Sequence, residues 1–295
     1  MTDTCNNIVT KYTDEITYKD IKDSDDKIVP YNYVEFFFKY ISKNKNNICY
    51  NNTIINFDLD FIVKLTIDPI KNDSNWVETT NFFGFENTYN LDKIKECLEN
   101  EENITILPIN VITYSNLCKE NGKYKYKNRQ SHYNLIVIKN KNIYYFDPMT
   151  DSNKGEDFFN IQKKICEKIK KYLGIDDYNI IIHKTCPFSL QRKAREQRPD
   201  KLKNNEGLCV AWCLLIAHLL VLNKESSLQD IVKCILKIDN LDIYIRKYLK
   251  FLELEKIKQE EKEREEFAKA TKNRKENTIR ERERKRKNKT IMRKI

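Results

Sequence analysis

The stretch "GLCVAWCLLIAHLLVLN" (207–223) constrains the fold more than any other part of the chain. From Val210 to Leu222 it runs for 13 residues without a formal charge, with His218 inside it. A helix that is apolar on every side must be wrapped by the rest of its protein. The run also falls short of the ~20 residues that span a bilayer. It therefore predicts a central, buried helix and no membrane partner. With 295 residues, 40% of them hydrophobic, the chain has material for one large domain or two small ones around that helix. Gly207, one of only 5 glycines, opens the stretch, and Cys209 stands at its first turn.

The periodicity of the flanking segments predicts an α+β domain. "YVEFFFKYISKN" (33–44) and "LDKIKECLEN" (91–100) have helical spacing, and "NITILPINVITY" (103–114) alternates like a strand. "SHYNLIVI" and "IYYFDP" are strand-like and flank "KNKN", which predicts a hairpin across Lys139–Asn142. "DFFNIQKKICEKIKKYLG" (157–174) is an amphipathic helix with Gly174 as its C-cap, and "YNIIIH" (178–183) is a further strand. Residues 187–206 read as a polar loop leading into the apolar helix, and "SLQDIVKCILKIDNLDIYIRKYLKFLEL" supplies one or two amphipathic helices. Residues 1–80 mix short apolar clusters with Asn/Asp-rich loops and are taken as an N-terminal extension or lobe.

Charge separates the C-terminus from the rest. Residues 255–295 hold 17 basic and 9 acidic side chains, which accounts for +8 of the net +10. This segment is expected to be a charged helix or a disordered tail, with weak nucleic-acid contact as one use of it. Residues 81–254 are then the domain that carries the chemistry. The N-terminus, "MTDTCNNIVT", lacks the apolar core of a signal peptide, the 9 cysteines are odd in number, and no CxxC occurs. These features predict reduced thiols in a cytosol-like compartment.

A thiol nucleophile needs an imidazole, a group to orient the imidazole, and donors for an oxyanion. His218 lies nine residues beyond Cys209 on the same helix, roughly 13 Å away at ~1.5 Å of rise per residue. His183 ends a strand with no identifiable acidic neighbour. In the hairpin, 138 faces 143, 136 faces 145 and 134 faces 147, so His132 is the diagonal neighbour of Asp147 on one sheet face. Cys209, at a helix N-terminus, has free N–H groups and the positive end of the helix dipole beside it. Gln191 and Gln197, in the preceding loop, both offer an amide for an oxyanion. Other readings use the same residues. Cys209 can be a core sulfur, and His183, Cys186, Cys209 and Cys213 can be set together as a Cys₃His zinc site, although neither pair has knuckle spacing.

The order His132, Asp147, Gln191, Cys209 resembles the clan of adenovirus endopeptidase and the SUMO-specific proteases. It is most similar to the branch found in large DNA viruses of the mimivirus type, on "HYNLIV" (132–137), "FDP" (146–148), "CPFSLQ" (186–191) and "GLCVAW" (207–212). The cellular SUMO proteases carry Trp after the histidine and Asp and Gly around the cysteine, where this chain has Tyr133, Leu208 and Val210. The resemblance implies a cysteine protease fold with a central mixed sheet and a buried nucleophile helix, working without a cofactor or metal. It implies His132 as general base, Asp147 orienting it, Cys209 as nucleophile, and Gln191 rather than Gln197 beside the Cys209 N–H in an oxyanion hole. It further implies cleavage after small residues, of the Gly-Gly or Gly-Ala type, in a ubiquitin-like conjugate or a virion precursor. The setting would be the host cytosol or nucleus, or the virion. Two other classes remain as rivals: a catalytically silent virion or scaffold protein, and a nucleic-acid-binding protein acting through its tail.

Overall fold

The computed structural model describes residues 16–24, 30–44, 48–50, 55–67, 74–86, 91–120, 123–149, 156–182, 189–199 and 208–292. Strands β1 (Ile48–Tyr50), β2 (Ile55–Ile67), β3 (Ser74–Glu86), β4 (Ile104–Glu120), β5 (Lys123–Lys139), β6 (Asn142–Phe146) and β7 (Asn179–Ile182) form one mixed sheet in the order β3-β2-β4-β5-β6-β7, with β1 also beside β4. Pairings β1/β4, β2/β4 and β6/β7 are parallel, and β2/β3, β4/β5 and β5/β6 are antiparallel. The helices are α1 (Tyr18–Ser24), α2 (Val34–Asn44), α3 (Leu91–Leu98), α4 (Glu156–Leu173), α5 (Leu190–Glu196), α6 (Leu208–Leu222), α7 (Leu228–Ile235) and α8 (Leu241–Met292). The fold is α+β, with a mixed sheet rather than a repeating βαβ order.

Alternation along β5 and β6 serves two cores. Ile136, Ile138, Ile143 and Tyr145 pack with Ile165, Cys166, Ile169 and Leu173 of α4 and with Ile94 of α3. Tyr133, Leu135 and Val137 point the other way, and α6 packs against β5 on that side. Every residue from Leu208 to Val221 is buried, so the apolar run is the central helix. Each of its large side chains contributes on the order of 1.5–3 kcal/mol through removal from water, and α2, α5 and α7 also pack against it.

The hairpin between β5 and β6 has the expected register, Ile138↔Ile143 and Ile136↔Tyr145. Asn140 and Lys141 form its two-residue turn at φ 50° and 55°, the left-handed pair of a type I′ connection. Gly174 (φ +72°) ends α4: its N–H donates to Lys171 O, and that of Ile175 donates to Lys170 O, as in a Schellman cap.

Two expectations are corrected. Residues 55–67 and 74–86 form two 13-residue strands of the same sheet rather than clusters in loops. Residues 190–196, expected within a polar loop, form α5, because Ser189 caps it by accepting the Arg192 N–H and Leu190 and Ala194 bury one side. Parallel pairing of β1 with β4 carries Cys49 to the end of α3, where its Cα lies 6.3 Å from that of Cys97.

The chain divides into two compact units, Met1–Lys250 and Phe251–Ile295. The second is helical through Met292, with nearly every side chain from Glu260 to Arg280 exposed. Pairs one turn apart, such as Glu260–Arg264 and Gln259–Glu263, line its surface.

Candidate active site

His132 lies on β5 opposite Val111 of β4, before the stretch that pairs with β6. Asp147 follows the last residue of β6 and precedes Pro148. Its Oδ1 accepts the Met149 N–H at 2.7 Å, a local turn that holds the carboxylate against the strand end. The same oxygen meets His132 Nε2 at 2.5 Å. The diagonal hairpin pair is therefore in hydrogen-bond contact, with 27% of the His132 side chain and 1% of the Asp147 side chain exposed.

Cys209 is the second residue of α6, and its thiol lies close enough to the His132 imidazole for each to shift the other's titration. Burial pushes the Cys209 pKa up, but the His132 hydrogen bond and charge, with backbone hydrogen bonds from Tyr133 and Val210, bring it below its ordinary value. Burial pulls His132 down, while the Asp147 charge and hydrogen bond, aided by Cys209, raise it to about 9. Both shifts favour one state, a thiolate beside an imidazolium, which is the activated form of a sulfur nucleophile.

Gln191 is buried, and its backbone N–H donates to Pro148 O at 3.1 Å, which ties the start of α5 to the residue after Asp147. Its side-chain Oε1 is buried with no hydrogen-bond partner among the described residues. Gln197 is committed elsewhere. Its Oε1 accepts the Leu241 N–H at 2.8 Å and its Nε2 donates to Asp239 O at 3.0 Å. With Lys193 Nζ donating to Leu236 O, these bonds fasten α5 to the turn between α7 and α8.

The other candidates separate from this cluster. Cys213, one turn beyond Cys209, is fully buried, donates to Tyr133 O, and has its pKa raised well above normal by burial. His218 sits among the rings of Phe37, Tyr40 and Tyr248 at centroid distances of 5.7, 5.9 and 6.0 Å, and burial lowers its pKa to about 4. His183 and Cys186 of the zinc alternative, and Gly207, lie outside the described residues. Among the described residues no group of three His, Cys, Asp or Glu side chains is placed to hold a metal. No helix among them is long and apolar enough to cross a membrane.

One residue at the site escaped the sequence reading. Gln162 of α4, 1% exposed, donates from Nε2 to Asp147 Oδ2 at 3.3 Å. A signal was present: Gln162 occupies the same helical stripe as Ile165, Cys166, Ile169 and Leu173, where the pattern calls for an apolar residue.

No family model matches the sequence, and no curated protein matches it. Solved structures do. SUMO protease Ulp1 with its catalytic cysteine oxidized to a sulfinic acid aligns at a TM-score of 0.37 and 16% identity, over 85% of this chain and 91% of that one. The C-terminal Ulp1 protease domain in complex with Smt3, the yeast orthologue of SUMO, aligns at 0.36 and 16%, with the same coverage. The Chlamydia trachomatis effector Cdu1 bound to ubiquitin aligns at 0.29 and 13%, over 55% of this chain and 65% of that one.

Proposed function

We propose that the chain is a cysteine-type peptidase. One observation carries this: the Cys209 thiol, at the first turn of a buried helix, is acidified by the His132 imidazole beside it, and that imidazole's Nε2 is held by a buried carboxylate. The Cys209 thiolate attacks the scissile carbonyl carbon. The resulting oxyanion is met by the Cys209 N–H and the Gln191 amide. The His132 imidazolium gives its proton to the departing amine as the C–N bond breaks, leaving a thioester on Cys209. His132 then takes a proton from water, whose oxygen attacks the thioester and releases a carboxylic acid and the thiol.

The ordered motifs around His132, Asp147, Gln191 and Cys209 support a substrate cut after Gly-Gly or Gly-Ala, in a ubiquitin-like conjugate or a viral precursor. The test treats the full chain with a ubiquitin-like protein bearing a C-terminal electrophile and, separately, with iodoacetamide. A probe adduct at Cys209 that disappears in Cys209→Ala is expected. Labelling by iodoacetamide alone would remove the ubiquitin-like substrate and leave the precursor. Cys209 reacting no faster than Cys213 or Cys166 would return the chain to a silent scaffold.

Charge placement favours a second property for the C-terminal unit. Residues 255–269 hold 5 basic and 6 acidic side chains, whereas residues 272–294 hold 12 basic and 3 acidic ones. The far half of the helix therefore suits a phosphate backbone. Phe267 is its only aromatic residue beyond 255, which argues against base stacking. Deleting 255–295 should abolish any salt-sensitive nucleic-acid binding and leave Cys209 reactivity intact. Binding that survives the deletion would place the contact elsewhere.

A further inference from the structure

We propose that Gln162 is a positioning residue for this site: its amide N–H holds the second oxygen of Asp147, so that the first faces His132. The inference rests on the peptidase reading above. Its starting point is an oddity of packing. The core-facing stripe of α4 continues through Ile165, Cys166, Ile169 and Leu173, all buried in one cluster, and Gln162 stands on that stripe with 1% exposure. Burying an amide costs free energy unless it is hydrogen-bonded, and a leucine would fill a similar volume without that cost. The amide is instead spent on Asp147 Oδ2, at 3.3 Å.

The geometry explains what this does. Asp147 Oδ1 receives both His132 Nε2 and the Met149 N–H. Those two bonds converge on one oxygen, and a carboxylate held by one oxygen can still swing about its Cβ–Cγ bond. A donor on the other oxygen, delivered from a different element, fixes the carboxylate plane and with it the plane of the imidazole. Orientation of the ring by such an outer partner sets which nitrogen faces the sulfur. Among the described residues, His132 on β5, Tyr145 on β6 and Cys213 on α6 feel the Asp147 charge, and Cys209 lies beside His132. Burial keeps Tyr145 and Cys213 neutral, so His132 and Cys209 are the pair whose titration reports on the carboxylate.

Two full-length variants test this by thermal melting, NMR titration of His132, and iodoacetamide alkylation of Cys209 between about pH 5.5 and 8. Gln162→Leu should fold, lower the His132 midpoint by ~1 unit and slow Cys209 alkylation at about pH 6 by ~10-fold. Gln162→Glu should stay within about twofold of the parent near pH 5.5, where a proton shared with Asp147 restores the hydrogen bond. Its rate relative to the parent should then fall as the pH rises and the second carboxyl ionises. A role in packing alone predicts the reverse order, with Leu matching the parent and Glu the worse of the two. A parent-like His132 midpoint and alkylation rate in Gln162→Leu would overturn the proposal. If that variant does not fold, a parent-like pH profile in Gln162→Glu overturns it. None of these readouts needs a peptide substrate, so failure to find cleavage would count against the peptidase reading and not against the role of Gln162.

Discussion

The first turn of α6 holds Cys209 beside His132, its interior holds Cys213 and His218, and the two regions treat these residue types in opposite ways. At the first turn, burial of Cys209 is overcome by His132 and by backbone donors, and the thiol is acidified. One turn further in, Cys213 has only burial and neighbouring negative charge to respond to, and its thiol is held neutral. His132 is raised to about 9 beside Asp147, whereas His218, among aromatic rings, is lowered to about 4. The same residue types, on or facing one helix, become reactive or inert according to whether a compensating charge reaches them. Burial is common to both ends, so burial alone does not decide function.

The sharpest way to break this comparison is to remove its reactive half. Cys209→Ala should abolish peptidase activity and the fast phase of alkylation at about pH 6, with the protein still folded. His132→Ala should slow Cys209 alkylation at that pH by ~10- to 100-fold, because the imidazolium that stabilises the thiolate is gone. Mass spectrometry of the labelled cysteines gives both answers. Equal labelling of Cys209 and Cys213 would erase the difference between the two ends.

Gln191 in α5 and Gln197 at its C-cap extend the comparison to the proposed catalysis. Gln191→Ala should lower kcat by ~10²–10³-fold with little change in KM or in Cys209 alkylation, as expected for loss of one oxyanion donor. Gln197→Ala should instead lower thermal stability, since it breaks two bonds to the α7–α8 turn. Steady-state kinetics beside melting curves separates the two, and a reversed outcome would exchange their roles.

Much of the site was legible because strands have a period of two. Once "KNKN" is a hairpin turn, His132 and Asp147 must share a face, and the observed register puts them in contact. The central helix was legible because a uniformly apolar run has nowhere else to go. The strand Ile55–Ile67 was readable too, with apolar residues at every odd position from Ile55 to Ile67, yet its Asn and Asp residues suggested loops. The local segment resemblance pointed to Gln191, but the bonds that tie Gln197 to Asp239 and Leu241, more than 40 residues away, were not readable from its neighbourhood. The Cys49–Cys97 pair was hidden for the same reason, because 48 residues separate its members and only the β1/β4 pairing joins them.

Proton linkage gives the histidine comparison a smaller, measurable form. His132 has a raised folded pKa, so its stabilising contribution is complete below about 6.5 and is lost as pH rises through about 9. His218 has a depressed folded pKa, so its effect has the opposite sense: stability present above about 6.5 falls away as pH drops toward about 4. Over that acid window the loss from His218 is on the order of 3 kcal/mol, and His218→Phe should flatten the acid limb of a melting-temperature profile while leaving the alkaline limb in place.

The smallest expected effect tests the inert half of the helix. Cys213 answers to burial and neighbouring negative charge, and its sulfur donates to Tyr133 O from within a helix buried from Leu208 to Val221. Cys213→Ala should therefore leave alkylation of Cys209 and peptidase turnover unchanged. Its cost is the sulfur's packing and one weak hydrogen bond, about 1 kcal/mol, comparable to other small core truncations. Urea denaturation has the resolution to read a change of that size. Because Cys213 and Cys209 lie on successive turns, a drop in turnover without a drop in stability would mean that the second turn of α6 shapes the reactive thiol. The boundary between the two ends of the helix would then lie deeper than Cys213.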